Sequence, residues 1–200
     1  MKLYYSPGAC SLAPHIVLHE TGLAHELEAV DLKTKTTRSG KDFRAINSKG
    51  YVPALALDNG RVMTEGAVIS QYLADLNPES GLLPAQGEAR YAVLEWMGFI
   101  SAELHKTLAA LFNPAVKGEW KDAVVAQLTR RLNWLENEID GKTTLTGDRF
   151  TIADAYLFTV LGWSKVVGFS LDDWPAVQRY LANVAERPAV QAALKAEGLI

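Results

Sequence analysis

The chain has 200 residues, 48% of them hydrophobic and 22% charged, and its formal net charge at pH 7 is −3. This composition is typical of a folded globular protein with one domain or two small ones, and it excludes a disordered chain. The acidic balance argues against a nucleic-acid-binding surface, and no apolar run reaches the ~20 residues that cross a bilayer. The apolar stretch of residues 3–5 is too short for a signal peptide, so we expect a cytoplasmic protein with no membrane or nucleic-acid partner.

Strand and helix signals alternate through the first 77 residues. In chain order they are a strand, a helix, a strand, two strands of a hairpin and a helix, over residues 2–5, 11–22, 26–32, 52–57, 61–64 and 67–76. The first three elements imply a right-handed crossover and therefore two parallel strands. Asn59-Gly60 suits the tight turn of an antiparallel hairpin, and Pro78 ends the last helix.

Cys10, between the first strand and the first helix, is the only cysteine of the chain. A single cysteine excludes intramolecular disulfides and cysteine-rich zinc sites. A free cysteine is most often a buried small side chain. The alternative is a nucleophile or redox group, and composition alone leaves both open.

The segment from residue 33 to residue 49 is strongly basic. Its charged residues are Lys33, Lys35, Arg38, Lys41, Arg44 and Lys49, against Asp42 alone. A basic loop in an acidic protein suggests a small anionic ligand, and a merely solvated loop is an equally good explanation of the charge.

Residues 78–87 have the proline and glycine content of a linker. We therefore predict a boundary between a first domain, residues 1–77, and an all-helical domain, residues 88–200. Five helical patterns follow the linker, over residues 88–112, 120–139, 151–167, 174–186 and 188–197. Thr151 and Asp154 form the N-terminal cap of the third of these helices.

Six short segments, in order, carry a family likeness. They are YSPGACS at residues 5–11, GYVP at 50–53, TEG at 64–66, ELHK at 103–106, FTIADA at 150–155 and AEGL at 196–199. On these segments the whole chain resembles the bacterial beta class of the glutathione transferase superfamily. The resemblance implies an α/β thioredoxin-like domain of order β-α-β-α-β-β-α and a helical bundle domain. It also implies glutathione as cosubstrate, a hydrophobic electrophile, a homodimer, no further cofactor and no metal.

Cys10 lies where the unsatisfied NH groups of a helix start favour a thiolate. Thiolates in such places are nucleophiles, whereas a cysteine in the core is inert. The resemblance implies that Cys10 faces the sulfur of glutathione and forms a mixed disulfide with it. Tyr5 and Ser11 are hydroxyl donors beside the same turn, and in other classes of the superfamily such hydroxyls hold the thiolate of glutathione. Tyr5 is equally well explained as a packing residue.

The resemblance assigns five more residues to glutathione. Thioredoxin-like domains carry a cis-proline at the position of Pro53, which exposes the backbone of Val52 to the cysteinyl amides of the ligand. Glu65 and Gly66 begin a helix, so that helix NH groups suit the γ-glutamyl carboxylate while Glu65 takes the ammonium. Complementing its own helix dipole is the alternative for Glu65. Lys35 is the expected anchor of the glycyl carboxylate, and a solvated lysine is its alternative.

His105 is the single imidazole on a predicted helix face of small side chains, which would form a groove. A core histidine is the commoner case in general. The family match instead favours His105 and Lys106 as residues that polarise or position the sulfur chemistry, with His105 near its neutral titration range.

Three residues are expected to form the wall of the electrophile pocket, Leu108, Phe112 and Trp163, since such pockets are mostly apolar. At helical spacing, residues of this kind more often belong to the core. Gly98 and Ala102 depart from the family pattern, which has asparagine and serine or threonine there. Both changes remove polar groups beside the glutathione cleft that the resemblance implies.

Three functions are therefore compatible with the sequence. The first is transfer of glutathione to an electrophile such as an activated aromatic halide, an epoxide or a peroxide. The second is a glutathione-dependent thiol-disulfide oxidoreductase or peroxidase, since Cys10 can run mixed-disulfide exchange alone. The third is a non-catalytic binding protein on the same fold. The joint presence of Cys10, Lys35, Glu65 and His105 argues against the third.

Overall fold

The computed structural model describes residues 1–147 and 149–200. It contains two compact units. The sheet unit comprises residues 1–85 and 188–200, and the helical unit comprises residues 86–187. No helix in the described part of the chain is long and apolar enough to span a bilayer.

A five-stranded mixed sheet with the strand order β3-β2-β1-β4-β5 forms the frame of the sheet unit. Its strands are β1 Lys2–Tyr5, β2 Glu26–Asp31, β3 Thr36–Thr37, β4 Ala54–Ala56 and β5 Val62–Thr64. β1 pairs with β2 in parallel and with β4 in antiparallel orientation, and β4 and β5 form a hairpin. The predicted parallel pair and the predicted hairpin are confirmed.

Eight α-helices and one π-helical segment are present in the described residues. They are α1 Leu12–Thr21, α2 Gly66–Leu76, α3 Glu88–Phe99, the π-helical segment Ile100–His105, α4 Lys106–Ala110, α5 Gly118–Ile139, α6 Ile152–Gly162, α7 Pro175–Ala185 and α8 Pro188–Ala196. The five helical patterns predicted after the linker are confirmed within a few residues. The first of them is interrupted by the π-helical segment.

The helix that the thioredoxin-like order places between β2 and β4 is not formed. The chain has β3 there, followed by one 3-10 turn, Phe43–Ala45, whose N-terminus is capped by the Asp42 carboxylate accepting from the NH of Arg44 at 2.9 Å. Phe43 is the one large side chain of this turn that is fully buried. A single apolar anchor does not supply the stripe that a packed helix needs.

The helical domain was expected to extend to residue 200, and the structure corrects its end. α8 belongs to the sheet unit, where it packs against α1. A buried polar link accompanies this packing: Nδ1 of His15, on α1, lies 2.8 Å from Oε1 of Glu197, just after α8, and both side chains are inaccessible to solvent. α1 packs against α2 as well, so it is buried nearly all round between residues 12 and 18, where the sequence predicted one apolar side.

In the helical unit, the predicted cap of α6 is confirmed as a reciprocal capping box. The carboxylate of Asp154 accepts hydrogen bonds from the NH and the hydroxyl of Thr151, at 2.8 and 2.7 Å. It also accepts from the NH of Leu145 and the hydroxyl of Tyr180, at 2.8 and 2.5 Å. Burial has the largest effect on the Asp154 carboxyl and raises its pKa, although these hydrogen bonds act to lower it.

Candidate active site

Cys10 lies in the turn that joins β1 to α1, half buried and two residues before the helix begins. The turn is held by Ser11, whose hydroxyl accepts from the NH of Ser6 at 3.2 Å and donates to its carbonyl at 3.3 Å. The NH of Gly8, which has a φ of +70°, donates to Oε2 of Glu197 at 2.8 Å. Cys10 is thus presented from a fixed loop at the start of a helix, the position that its sequence context predicts.

The two hydroxyls predicted beside the sulfur occupy different places. Ser11 is fully buried, and its hydroxyl accepts from and donates to the backbone of Ser6, so it shapes the turn in this structure. Tyr5 is 8% exposed and its ring lies 5.9 Å from that of His15. Burial, followed by the charge of Glu197, raises the pKa of Tyr5, so the phenol keeps its proton. These contacts support a role of Ser11 in shaping the turn and of Tyr5 in packing, and the catalytic roles of both residues stay predictions.

The Cys10 thiol meets the loop that enters β4. Its Sγ lies 3.2 Å from the carbonyl oxygen of Val52, which accepts the thiol hydrogen. The Val52-Pro53 peptide bond is cis, as the resemblance to thioredoxin-like domains implies. A Cβ at Gly66 would lie 3.5 Å from Cγ of Pro53 and 4.0 Å from the carbonyl oxygen of Cys10. The cysteine, the cis-proline and the start of α2 therefore meet at one place within the sheet unit.

Glu65 precedes α2 with a φ of +71°, a conformation that non-glycine residues rarely adopt and that is frequent at ligand-binding sites. Its carboxylate accepts hydrogen bonds from the Lys49 ammonium at 2.6 Å and from the Tyr51 hydroxyl at 2.9 Å. The hydrogen bond to Glu65 is the main cause that raises the pKa of Lys49. The sequence placed Lys49 only in the basic loop and did not single out Tyr51, although its place in the GYVP segment, two residues before Pro53, was a usable signal.

Lys35 and Arg44 converge on Gly50. A Cβ at Gly50 would lie 3.6 Å from Cγ and Nε of Arg44 and 3.9 Å from Cδ of Lys35. Lys35 has a φ of +60°, and its backbone NH and carbonyl are both bonded within the loop, to Asp31 and Phe43. The basic loop thus brings two cations to the segment that leads into Val52. Arg44 was not singled out from the sequence.

In the helical unit, His105 ends the π-helical segment and is surrounded by aromatic side chains. Its Nδ1 lies 2.6 Å from the hydroxyl of Tyr156, and its ring centroid is 4.8 Å from that of Trp163. Burial, followed by the charge of Lys106, lowers the pKa of His105 to about 4. This corrects the expected titration near neutrality: His105 is an uncharged imidazole at pH 7. Tyr156 was missed, since only the fold brings α6 to His105.

The three expected wall residues differ in exposure. Phe112 is 48% exposed and its ring packs edge-on against that of Trp163, 5.8 Å away, so these two form an aromatic corner beside His105. Leu108 is 1% exposed and lies in the core, which removes it as a wall residue. Gly98 and Ala102 are exposed, and a Cβ at Gly98 would meet nothing within 4 Å. Lys106 is exposed as well.

Two family models match the chain. The model described as glutathione S-transferase, N-terminal domain, covers residues 8–76, and that described as glutathione S-transferase, C-terminal domain, covers residues 99–188. Glutathione S-transferase GstA of Escherichia coli O157:H7 is 48% identical over 200 residues, which span 100% of both proteins.

Solved structures agree with this similarity. The structure of a sphingomonad glutathione S-transferase complexed with glutathione is 47% identical, with a TM-score of 0.94 over 100% of both chains. A beta-class glutathione S-transferase from Sphingomonas chungbukensis is 43% identical, with a TM-score of 0.95 and the same coverage.

Proposed function

We propose how glutathione is bound and used by this chain, which belongs to the bacterial beta class of the glutathione S-transferase family. The chain is a glutathione transferase, an enzyme that joins the sulfur of glutathione to an electrophile. The observation that supports a site for the sulfur is the meeting of Cys10, the cis-Val52-Pro53 bond and the start of α2.

The γ-glutamyl end of glutathione binds at the start of α2 in this proposal. The first NH groups of a helix have no partner within the helix, and they suit a carboxylate. Glu65 takes the ammonium of the ligand, which replaces the ammonium of Lys49 at the same carboxylate. The backbone of Val52 pairs with the cysteinyl part, and Lys35 with Arg44 binds the glycyl carboxylate.

Conjugation needs only the sulfur of glutathione as nucleophile. The thiol proton leaves to solvent, a new bond joins this sulfur to the electrophilic carbon, and the leaving group departs with its electron pair. His105 is hydrogen-bonded to Tyr156, and its imidazole is uncharged. In this proposal it therefore acts on the substrates through a hydrogen bond and not through a positive charge. Phe112 and Trp163 supply the apolar surface for the electrophile.

A redox activity of the same site is the second candidate, supported by the half-buried thiol of the chain's one cysteine. The thiolate of Cys10 attacks the glutathione sulfur of a disulfide between glutathione and another thiol, so that a mixed disulfide of Cys10 with glutathione forms and the other thiolate leaves. Free glutathione then attacks the mixed disulfide, restores Cys10 and releases oxidised glutathione. Both activities need reduced glutathione, so we place the enzyme in the cytoplasm, where the glutathione pool is reduced.

We also propose a homodimer. Large apolar side chains are exposed in both units, among them Val68 in the sheet unit, 48% exposed, and Tyr91 in the helical unit, 70% exposed. Burying such residues against a second copy is the common way for a small two-unit chain to gain stability. Sedimentation equilibrium at micromolar concentration is expected to give twice the 21.9 kDa of one chain. A mass of one chain would contradict the dimer.

The experiment that tests the function is a turnover screen with reduced glutathione against an aromatic halide, an epoxide, a peroxide and a mixed disulfide. Turnover of the halide or the epoxide is expected, and it identifies the electrophile class. Turnover of the peroxide or the mixed disulfide alone would make the redox activity the main one. No turnover of any of the four would leave a binding protein and contradict the proposal.

A further inference from the structure

Three of the four histidines of the chain form a cluster in the sheet unit. They are His15 and His19 on α1 and His25 just before β2, and one ring nitrogen of each lies within 4.8 Å of the other two. The ring centroids of His15 and His19 are 5.0 Å apart, and those of His19 and His25 are 5.5 Å apart. The cluster takes no part in the glutathione site proposed above.

Hydrogen bonds fix the tautomers of two of these rings. Nδ1 of His15 lies 2.8 Å from a carboxylate oxygen of Glu197, and Nδ1 of His25 lies 2.7 Å from the carbonyl oxygen of Leu23. Both oxygens accept only, so each Nδ1 carries the proton. In the neutral rings, Nε2 of His15 and Nε2 of His25 therefore present lone pairs.

The hydrogen bonding of the remaining ring nitrogens is incomplete. Nε2 of His15 and Nε2 of His19 are buried and have no hydrogen-bond partner within the described residues. His15 is completely inaccessible to solvent. Buried polar atoms are normally satisfied, and an orphaned one needs an explanation. A histidine whose other nitrogen donates to a carboxylate or a carbonyl is the usual arrangement around a metal ion.

We propose that His15, His19 and His25 bind one first-row divalent metal ion, with Zn²⁺ as the principal candidate, through their Nε2 atoms. Imidazole is a ligand that suits zinc, copper and nickel, and three histidines leave the fourth position of a tetrahedral zinc site open to water. His19 and His25 are half buried, which gives the ion a path from solvent.

The geometry and the charge state agree with this assignment. Zinc–nitrogen bonds of about 2.0–2.1 Å put ligand nitrogens roughly 3.4 Å apart, and one ring nitrogen of each histidine already lies within 4.8 Å of the other two. A metal requires neutral imidazole ligands, and the protons on Nδ1 of His15 and His25 leave the Nε2 lone pairs of these neutral rings available to it. Bound metal would tie α1 to the start of β2 and, through Glu197, to the end of the chain.

The test is titration of the metal-free protein, made without a polyhistidine tag, with Zn²⁺ in competition with a chromophoric chelator. We expect one Zn²⁺ per chain. His19→Gln and His25→Gln are each expected to weaken binding by more than tenfold, since even outer partners of metal ligands cost 10–100-fold. Both positions are half buried, so these variants are expected to fold, which circular dichroism checks.

Two controls separate this site from others in the chain. His105→Gln removes the one histidine outside the cluster, and Cys10→Ser removes the one thiol. Both are expected to bind Zn²⁺ as the unchanged protein does. Added Zn²⁺ is also expected to raise the melting temperature of the unchanged protein and not that of His19→Gln. Absence of micromolar binding, or binding that survives both cluster variants, would overturn the proposal.

Discussion

The ammonium of Lys49 donates a 2.6 Å hydrogen bond to the carboxylate of Glu65, the residue that precedes α2. Both side chains are about half exposed, 45% and 54%, so the pair contributes little to stability and is readily exchanged for another ammonium. In the proposed complex that ammonium belongs to glutathione.

Replacing Glu65 by Gln is expected to weaken glutathione binding about tenfold, since a hydrogen bond between charged groups is worth about 1.5–3 kcal/mol and the amide keeps part of it. Isothermal calorimetry measures the change. Lys49→Met removes the competitor and is expected to leave the Kd unchanged or lower it. Lys33→Met, an exposed lysine of the same loop, is the matched control. A large loss of affinity in Lys49→Met would instead make Lys49 a direct ligand of glutathione.

Cys10 is expected to become glutathionylated by oxidised glutathione. No second cysteine exists in the chain to resolve the mixed disulfide, so the adduct persists until free thiol is added. Intact-mass spectrometry is expected to show one added glutathionyl group on the unchanged protein and none on Cys10→Ala. Conjugating activity survives in part in Cys10→Ala, because glutathione supplies the attacking sulfur. An equal mass gain in both proteins would show that the nucleophile is misassigned.

His105 predicts a dependence of stability on pH. Its pKa in the folded protein, about 4, is below the ordinary value of 6.5, so the unfolded chain takes up the proton first as the pH falls. The stability contributed by neutral His105 is therefore complete above pH 6.5 and is lost between about pH 6.5 and 4. Urea unfolding is expected to show a smaller loss over this range in His105→Gln than in the unchanged protein.

Lys106→Gln tests the cause. Since burial is the leading influence on His105 and the charge of Lys106 the lesser one, this variant is expected to keep most of the pH dependence. Equal pH dependence in His105→Gln and the unchanged protein would argue against a depressed pKa.

Asp154 is expected to be among the most costly positions to change. Asp154→Ala leaves three buried donors and the Tyr180 hydroxyl without their acceptor, and we expect a loss on the order of 4 kcal/mol in the free energy of unfolding. Tyr180→Phe removes one of these bonds and is expected to cost about 1–2 kcal/mol. Denaturant unfolding compares the two. Equal losses would mean that the shared carboxylate is not the centre of the network.

Gly98 offers a matched pair of variants. It lies in α3 with open space in the direction of a Cβ, so Gly98→Ala is expected to stabilise the protein by about 1 kcal/mol. Gly98→Asn restores the amide that the family pattern has. If that amide serves glutathione, Gly98→Asn lowers its Kd about tenfold relative to Gly98→Ala. Calorimetry that finds the same Kd in both variants would show that the amide has no part in binding.

The sequence predicts most elements of this fold because their signals are local. The Asn59-Gly60 turn, the Asn77-Pro78 stop and the Thr151–Asp154 cap each need only a few neighbouring residues. The family order predicts a helix where the structure has β3 and a 3-10 turn, whereas the local signals place no helix between residues 32 and 52, because the basic loop holds few apolar residues.

The site residues also divide into those that the sequence reveals and those that only the fold brings together. Cys10 and Pro53 stand out in the sequence, whereas the Lys49–Glu65 pair joins residues 16 positions apart and appears only when the hairpin has formed. The burial that lowers the pKa of His105 comes from another helix, through Tyr156 and Trp163. For the histidine cluster, the four-residue spacing of His15 and His19 was a usable helical signal. The approach of His25 depends on the reversal of the chain at Gly22, which has a φ of +66°.

The link between His15 and Glu197 sets an order of events during synthesis. The helical unit is continuous, residues 86–187, and all of it is made before α8 and Glu197 emerge from the ribosome. Until then the sheet unit lacks both the helix that covers one side of α1 and the carboxylate that Gly8 and His15 require. The sheet unit thus completes its folding after the helical unit has been made, and the loop that carries Cys10 acquires its final support only once Glu197 is available.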